Sequence, residues 1–504
     1  MPIYLKTVLK IIFALFLAFF ALKLLHYHVS LINFPYSATL REGAMMTSTD
    51  ALVHGLDPYD MSLQPNFMNP YGIIYPLLVW PLAKIFGTTL LVHRIVSAFS
   101  IIACCILVFL VLRKMSVPLL LNLWAILMLY ASWLYQGTST PSVDPGGTAM
   151  LFLLLTVFTP CFLRYSYKSL LLSALFAILA FYTKPYGVLG APIICSYLFL
   201  FVSKKKSLAY GCLLLAFMTI SVLFINQIFP AYFDNCFFTS LNMTHAWSRL
   251  DHLYFQIDLY SKIYAWTLIL LGIFIAWQGF KIYKTKDFTI LKNDDIRLVS
   301  WAILWACFVL YTSLGRHTGA TLWYFFQLLS PFLLIAAAWV FSQNLLIDMI
   351  GVPFLIINLF TITSKLDYTL FNKNEPNWLA ASTLLSQYPH VLASPILVPL
   401  LVEENKQVYD NGQTEYFLSG ADRPSWMQGF LKTDYRGYIQ MAKFFRDIEH
   451  KVENKDFEII LLPPSLLPLG IDEAIHKNYK MVGNLVVLAP QDVRPYDITV
   501  WVPQ

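Results

Sequence analysis

Long apolar runs recur along the first two thirds of this 504-residue chain and constrain its fold more than any other feature. A helix crosses a bilayer with about 20 apolar residues. Backbone polar groups in lipid must be satisfied internally, so a span is a helix or part of a closed barrel. The runs here are continuous rather than alternating, which excludes a barrel. Composition agrees, with 58% hydrophobic and 13% charged residues and a mean hydropathy of +0.61. A soluble domain carries about 25% charged residues. The pattern predicts an all-α polytopic membrane domain.

About eleven spans are expected by that length rule. They lie near 8–25, 90–112, 117–135, 146–163, 170–182, 188–202, 208–228, 264–277, 299–314, 325–341 and 345–362. No small-residue cleavage site follows the first, so it reads as a retained anchor rather than a signal peptide. Arg113 and Lys114, Arg164 and Lys168, Lys204 to Lys206, and Lys281 to Arg297 fall in alternate connections. The positive-inside rule makes those connections cytoplasmic, with the N-terminus inside. The odd count then leaves the C-terminus outside. A multi-pass bacterial inner-membrane protein with its working face in the periplasm is the expectation. The net charge of +6 sits between spans and is no nucleic-acid signal. Nearly all seven cysteines lie in apolar runs, where a lone Cys acts as a small hydrophobe. None follows Cys307, so the tail has no disulfide framework or zinc ribbon.

Composition changes near Lys365, where acids come to outnumber bases. Short β-like runs at 390–393, 407–409, 457–462 and 485–488 alternate with helix-like stretches at 378–387, 435–451 and 471–479. Asn411-Gly412 and Pro463-Pro464 supply turns. We therefore divide the chain into a transmembrane domain over 1–364, with a long first outer loop at 26–88, and a small soluble α/β domain over 365–504 on the outer face.

The first outer loop is too long for a passive connector. It holds Glu42, Asp50, Asp57 and Asp60. Other outer connections carry Asp144, Lys184, Arg316 and His317, and a longer one carries His245, Arg249, Asp251 and His252. Carboxylates, cations and aromatics thus converge on one face. A carboxylate there can take a proton from an acceptor hydroxyl. Lys or Arg can stabilise a departing phosphate. Bland readings stand beside these. Asp57 and Asp60 flank Pro58-Tyr59, which is turn chemistry. Asp144 suits a helix N-cap. Tyr75 and Tyr324 suit an interfacial aromatic belt. Asp50 lies eight residues after Glu42 on nearly the same helical face and is its rival. No nucleotide-phosphate loop and no H-E-x-x-H motif occurs.

The order of several loose motifs resembles the GT-C superfamily of polytopic glycosyltransferases, near the protein O-mannosyltransferase and aminoarabinose-transferase-like branch. These are Glu42 in a helical first outer loop; Gly55, Pro58 and Tyr59; Tyr75, Pro76 and Pro81; Asp144 opening the fourth span; Thr183-Lys184-Pro185; and Tyr324 with Pro331. Glu42 is followed by Gly43 where many members show paired acids, and Ser142-Val143 replace the usual Arg-Pro before Asp144. The resemblance implies transfer of a sugar from a polyprenyl-phosphate donor to a lipid, glycan or protein acceptor at the outer face. It implies a catalytic carboxylate as base, Glu42 or its rival Asp50, with Asp144 orienting the acceptor. Lys184, Arg316 and His317 would bind the donor phosphate, and Asp57, Tyr59, Tyr75 and Tyr324 would line the substrate site. No cofactor is implied with certainty, although Glu42 and Asp144 could share a divalent metal. The alternative is a transporter or lipid flippase, which would carry charge within its spans.

Overall fold

The computed structural model describes residues 3–63, 71–135, 141–233, 235–236, 248–285, 293–313, 319–343, 351–371, 375–411, 436–463, 469–492 and 494–504. The chain opens with α1 (Ile3–Asn33), then α2 (Glu42–Val53) and α3 (Ile74–Phe86). The apolar runs that follow form α4 (Leu90–Lys114), α5 (Leu119–Leu134), α6 (Gly146–Phe162), α7 (Tyr167–Phe181), α8 (Gly190–Tyr197) and α9 (Lys204–Ile228). Next come α10 (Arg249–Thr285), α11 (Asp294–Ser313), α12 (Gly319–Ser342) and α13 (Gly351–Thr363). Among the described residues, seven helical stretches are long and apolar enough to cross a bilayer, and five shorter helices are also apolar. Four of those five coincide with expected spans, and the fifth is α3.

Local chemistry sets several boundaries. The Thr89 hydroxyl accepts the Val92 N–H at the start of α4, and Ser166 and Ser203 cap α7 and α9 in the same way. In α3, Pro76 occupies the first turn, where its missing N–H is no loss. Gly190 brings α8 against α6, with a hypothetical Cβ only 3.0 Å from Thr156. Ala174, Ala177 and Ala180 of α7 and Ala336 to Ala338 of α12 are buried small residues, the kind that lets helices in lipid approach closely. The helix α10 bends at Tyr264, whose φ of −118° and ψ of 15° are non-helical.

The two ends of the bundle differ. At one, Lys114 pairs with Asp295, Arg297 pairs with Asp294, and the Tyr197 hydroxyl donates to the Asp294 carbonyl at 2.9 Å. At the other end lie the start of α4, the start of α6, α2 and the C-terminal unit.

That unit contains α14 (Glu375–Gln387), β1 (Val391–Ala393), α15 (Val398–Glu403), α16 (Arg436–Glu453), β2 (Ile459–Leu462), α17 (Leu469–Asn478), β3 (Tyr479–Ala489) and β4 (Arg494–Pro503). Its sheet has the order β1-β2-β4-β3, with β1 parallel to β2 and the other pairs antiparallel. All three expected helices form. The expected strand at 407–409 does not: Val408 and Tyr409 are buried in irregular chain. β4 escaped notice because Pro495 and Pro503 frame it, and Pro near strand ends masks the pattern. The unit shares a hydrophobic core with the first outer loop. Phe34, Tyr36, Met45, Met46 and Tyr75 pack in one cluster with Trp378, Ile396, Val398 and Leu401.

Candidate active site

Glu42 stands in the first turn of α2 and is fully buried. Its partner is Arg94, one turn into α4, also fully buried. Arg94 Nε donates to Glu42 Oε1 at 2.9 Å and Nη2 to Oε2 at 2.8 Å. The Val143 N–H reaches Oε1 at 3.0 Å and the Ala38 N–H reaches Oε2 at 2.6 Å. A carboxylate offers about four acceptor sites, and here four N–H donors occupy them. The remaining Arg94 N–H groups meet the carbonyls of Leu31 (3.0 Å), Phe34 and Tyr36 (2.6 Å). A cation at orphan carbonyls past a helix C-terminus is favourable. The expected base is therefore enclosed and saturated, with no lone pair left for a hydroxyl or a shared cation.

Asp144 and Lys184 do come together. Asp144 precedes α6 and accepts the Gly146 N–H two residues on, a turn contact, while Pro145 takes the N-cap position where the sequence suggested Asp144. Lys184 precedes a short 3₁₀ turn, Pro185–Leu189. The Lys184 Nζ lies 2.8 Å from Asp144 Oδ1, with both side chains almost wholly buried. The ammonium also stands 4.9 Å from the centre of the Tyr71 ring. Nearby, the Tyr186 hydroxyl donates to Gln327 Oε1 at 3.2 Å.

The first loop reaches this pair through backbone contacts. The N–H groups of Gly72 and Ile74 donate to the carbonyls of Thr183 (3.2 Å) and Tyr182 (3.0 Å). Only glycine fits position 72, since a Cβ would lie 1.9 Å from the Tyr182 carbonyl oxygen. The Tyr59 hydroxyl donates to the Tyr71 carbonyl at 3.1 Å, and its ring packs 4.9 Å from that of Tyr232. Tyr75 is bonded through its hydroxyl to the His93 carbonyl (3.1 Å) and Ser97 (2.9 Å). Both tyrosines are fully buried, so they brace the loop instead of lining an open surface.

Asp50 remains reachable, its side chain 25% exposed and 3.5 Å from His54 Nδ1. Burial raises its carboxyl above the ordinary value, while His54 and the Thr88 hydroxyl pull the other way. Asp57 accepts the Tyr59 N–H at 2.8 Å and Asp60 the Ser62 N–H at 2.8 Å, which is the turn role their sequence context suggested. Burial raises the Asp57 carboxyl as well. Arg316, His317 and His245 lie outside the described residues, as does the Tyr324 side chain, although α12 runs through that position. Among the described residues, no three His, Cys, Asp or Glu side chains group as metal ligands. Arg94 was missed by the motif reading. An ionisable residue in the apolar run L-L-V-H-R-I-V-S was its available signal.

A bundle of apolar helices, a helical first loop and an appended α/β unit form one architecture, and solved structures share it. The chain matches crystal structures of ArnT from Cupriavidus metallidurans over 97% of both chains. In the apo state the TM-score is 0.61 at 12% identity. For the structure bound to undecaprenyl phosphate it is 0.62 at 10% identity. At this identity the likeness is one of fold. No protein-family model and no curated protein matches the chain.

Proposed function

We propose that this protein is a membrane glycosyltransferase that moves a sugar from a polyprenyl-phosphate donor to an acceptor hydroxyl on the outer, periplasmic side. The whole-length likeness to a structure bound to undecaprenyl phosphate carries this reading. The buried Lys184–Asp144 pair supports it from within. A buried lysine is costly unless paired, and this one is held at the turn where α7 ends.

In this reading Lys184 stabilises the donor phosphate as it departs, and Asp144 holds the ammonium charged and in place. Arg316 and His317 add contacts to the same phosphate, and Tyr324 lines the sugar. Asp50, a loop acid that is still reachable and not tied to a turn N–H as Asp57 and Asp60 are, takes the acceptor proton. The acceptor oxygen attacks the anomeric carbon, the bond from that carbon to the phosphate oxygen breaks, and its electron pair leaves with the lipid phosphate. Glu42 and Arg94 fix the loop that carries Asp50. A transporter needs charge along a path through the membrane. The buried charges described here are instead locked in pairs at one end of the bundle.

The test is transfer by purified protein in lipid vesicles, offered a panel of radiolabelled polyprenyl-phosphate sugars with native membrane extract as acceptor. Wild type is expected to transfer label from at least one donor, and Lys184→Ala and Asp50→Asn to lose it while folded. Label that moves across the vesicle membrane without being transferred would replace this reading with transport.

A further inference from the structure

A groove of about 690 Å³ lies beside the site end of the bundle, between the end of α1, the α3–α4 corner and α15. Its floor and walls include Leu82, Phe86, Leu91 and Ile95, all large apolar side chains exposed in the protein. Glu403 closes one end. The position follows from α3. Thirteen residues reach only about 20 Å at the helical rise, too little to span. Its Tyr75, Val79 and Ala83 face the core, while Leu77, Leu78, Leu82, Ile85 and Phe86 are exposed. A helix divided in this way lies in the plane of the membrane interface, which puts the groove where headgroups meet acyl chains.

Charge then selects the occupant. The groove has no Lys or Arg in its lining. Glu403 is exposed and uses Oε1 to accept the Leu90 N–H at 2.8 Å. An anionic headgroup meets an acid there, the nearby Arg94 being already paired with Glu42, whereas an ammonium is attracted. The first turn of α4 presents the positive end of its dipole to a neighbouring phosphate. We propose that the groove binds a phospholipid with an ammonium headgroup, one acyl chain along Leu82, Phe86, Leu91 and Ile95 and the ammonium at Glu403. The lipid is distinct from the proposed donor, whose phosphate is placed at Lys184, and its binding does not depend on sugar transfer.

Native mass spectrometry of the detergent-solubilised full chain tests this, with phosphatidylethanolamine or phosphatidylglycerol of identical acyl chains added. A partly exposed ion pair implies about two- to fivefold preferential retention of phosphatidylethanolamine. Glu403→Gln keeps an oxygen for the Leu90 N–H, so it is expected to retain the wild-type melting temperature and lose the preference. Leu91→Trp, which fills the groove, is expected to lose both lipids. Equal retention by wild type, a preference that survives Glu403→Gln, or undiminished retention by folded Leu91→Trp would each overturn the assignment.

Discussion

Arg94 uses all five of its N–H groups on the Glu42 carboxylate and the chain leaving α1. Removing one member of a buried pair strands the other, at a cost of about 3–5 kcal/mol. Arg94→Ala is therefore expected to lower the denaturation midpoint sharply, and Glu42→Gln to follow it, so that lost transfer in either tracks lost fold. Thermal unfolding in detergent checks this. Asp50 should behave in the opposite way. Its folded carboxyl titrates above the unfolded one. The stability it contributes is thus present below the unfolded value and lost as pH rises through the folded value. At neutral pH the ionised group opposes folding, so Asp50→Asn should keep or raise the melting temperature. The same variant should lose about 10²–10⁴-fold in transfer, the usual contribution of a general base. In wild type the acid limb of kcat/KM should lie above the ordinary Asp value, in the direction burial drives it. Sequence exposed the acids but not which of them stays reachable. Glu42 reads as a loop acid until Arg94, 52 positions away, folds onto it. The Asp144–Lys184 pairing was equally invisible, because it depends on how α6 and α7 stack.

Elements were legible where one face or one run decided them. Where their residues are described, the expected spans fall on helices, because apolar runs in lipid have few alternatives. α3 was harder to place: it is an apolar helix of 13 residues with one face buried, and the sequence treated it as the entry to a span. β4 was hidden by its prolines. The junction between the first loop and the end of α7 depends on backbone approach and leaves a single sequence trace, Gly72. A methyl at that position would collide with the Tyr182 carbonyl, and overpacking of this kind costs about 1–3 kcal/mol. Gly72→Ala should push the loop off the turn that holds Lys184. The KM for the donor is expected to rise more than kcat falls, measured against Gly211→Ala, where the added methyl meets nothing within 4 Å.

At the scale of the whole molecule, the C-terminal unit is a clamp on the first outer loop. Asp492 accepts the Leu40 N–H at 2.8 Å and the Tyr496 hydroxyl at 2.6 Å. The Gln491 N–H donates to the Ala38 carbonyl at 2.9 Å, and Asn411 donates to Thr47 at 3.0 Å. Tyr36 stacks on Trp378 with ring centres 5.1 Å apart, and Gly43 leaves room for Val398. The loop contains Glu42 and Asp50, so its shape is set jointly by the two ends of the chain. Asp492→Ala removes one acceptor from two donors, and each part-buried donor left unmet costs about 1–3 kcal/mol. Its expected signature is faster proteolytic cleavage within 34–63 together with slower transfer. The stronger form of the prediction concerns residues 1–371 alone. Without the clamp, Met45, Met46 and Tyr36 lose their apolar cover, and the ends of α2 lose their anchors. That truncated chain is expected to insert in membranes yet show no cooperative loop protection and no transfer. If it turned over donor at the wild-type rate, the loop would be positioned by the bundle alone, and the shared core would serve stability and not catalysis.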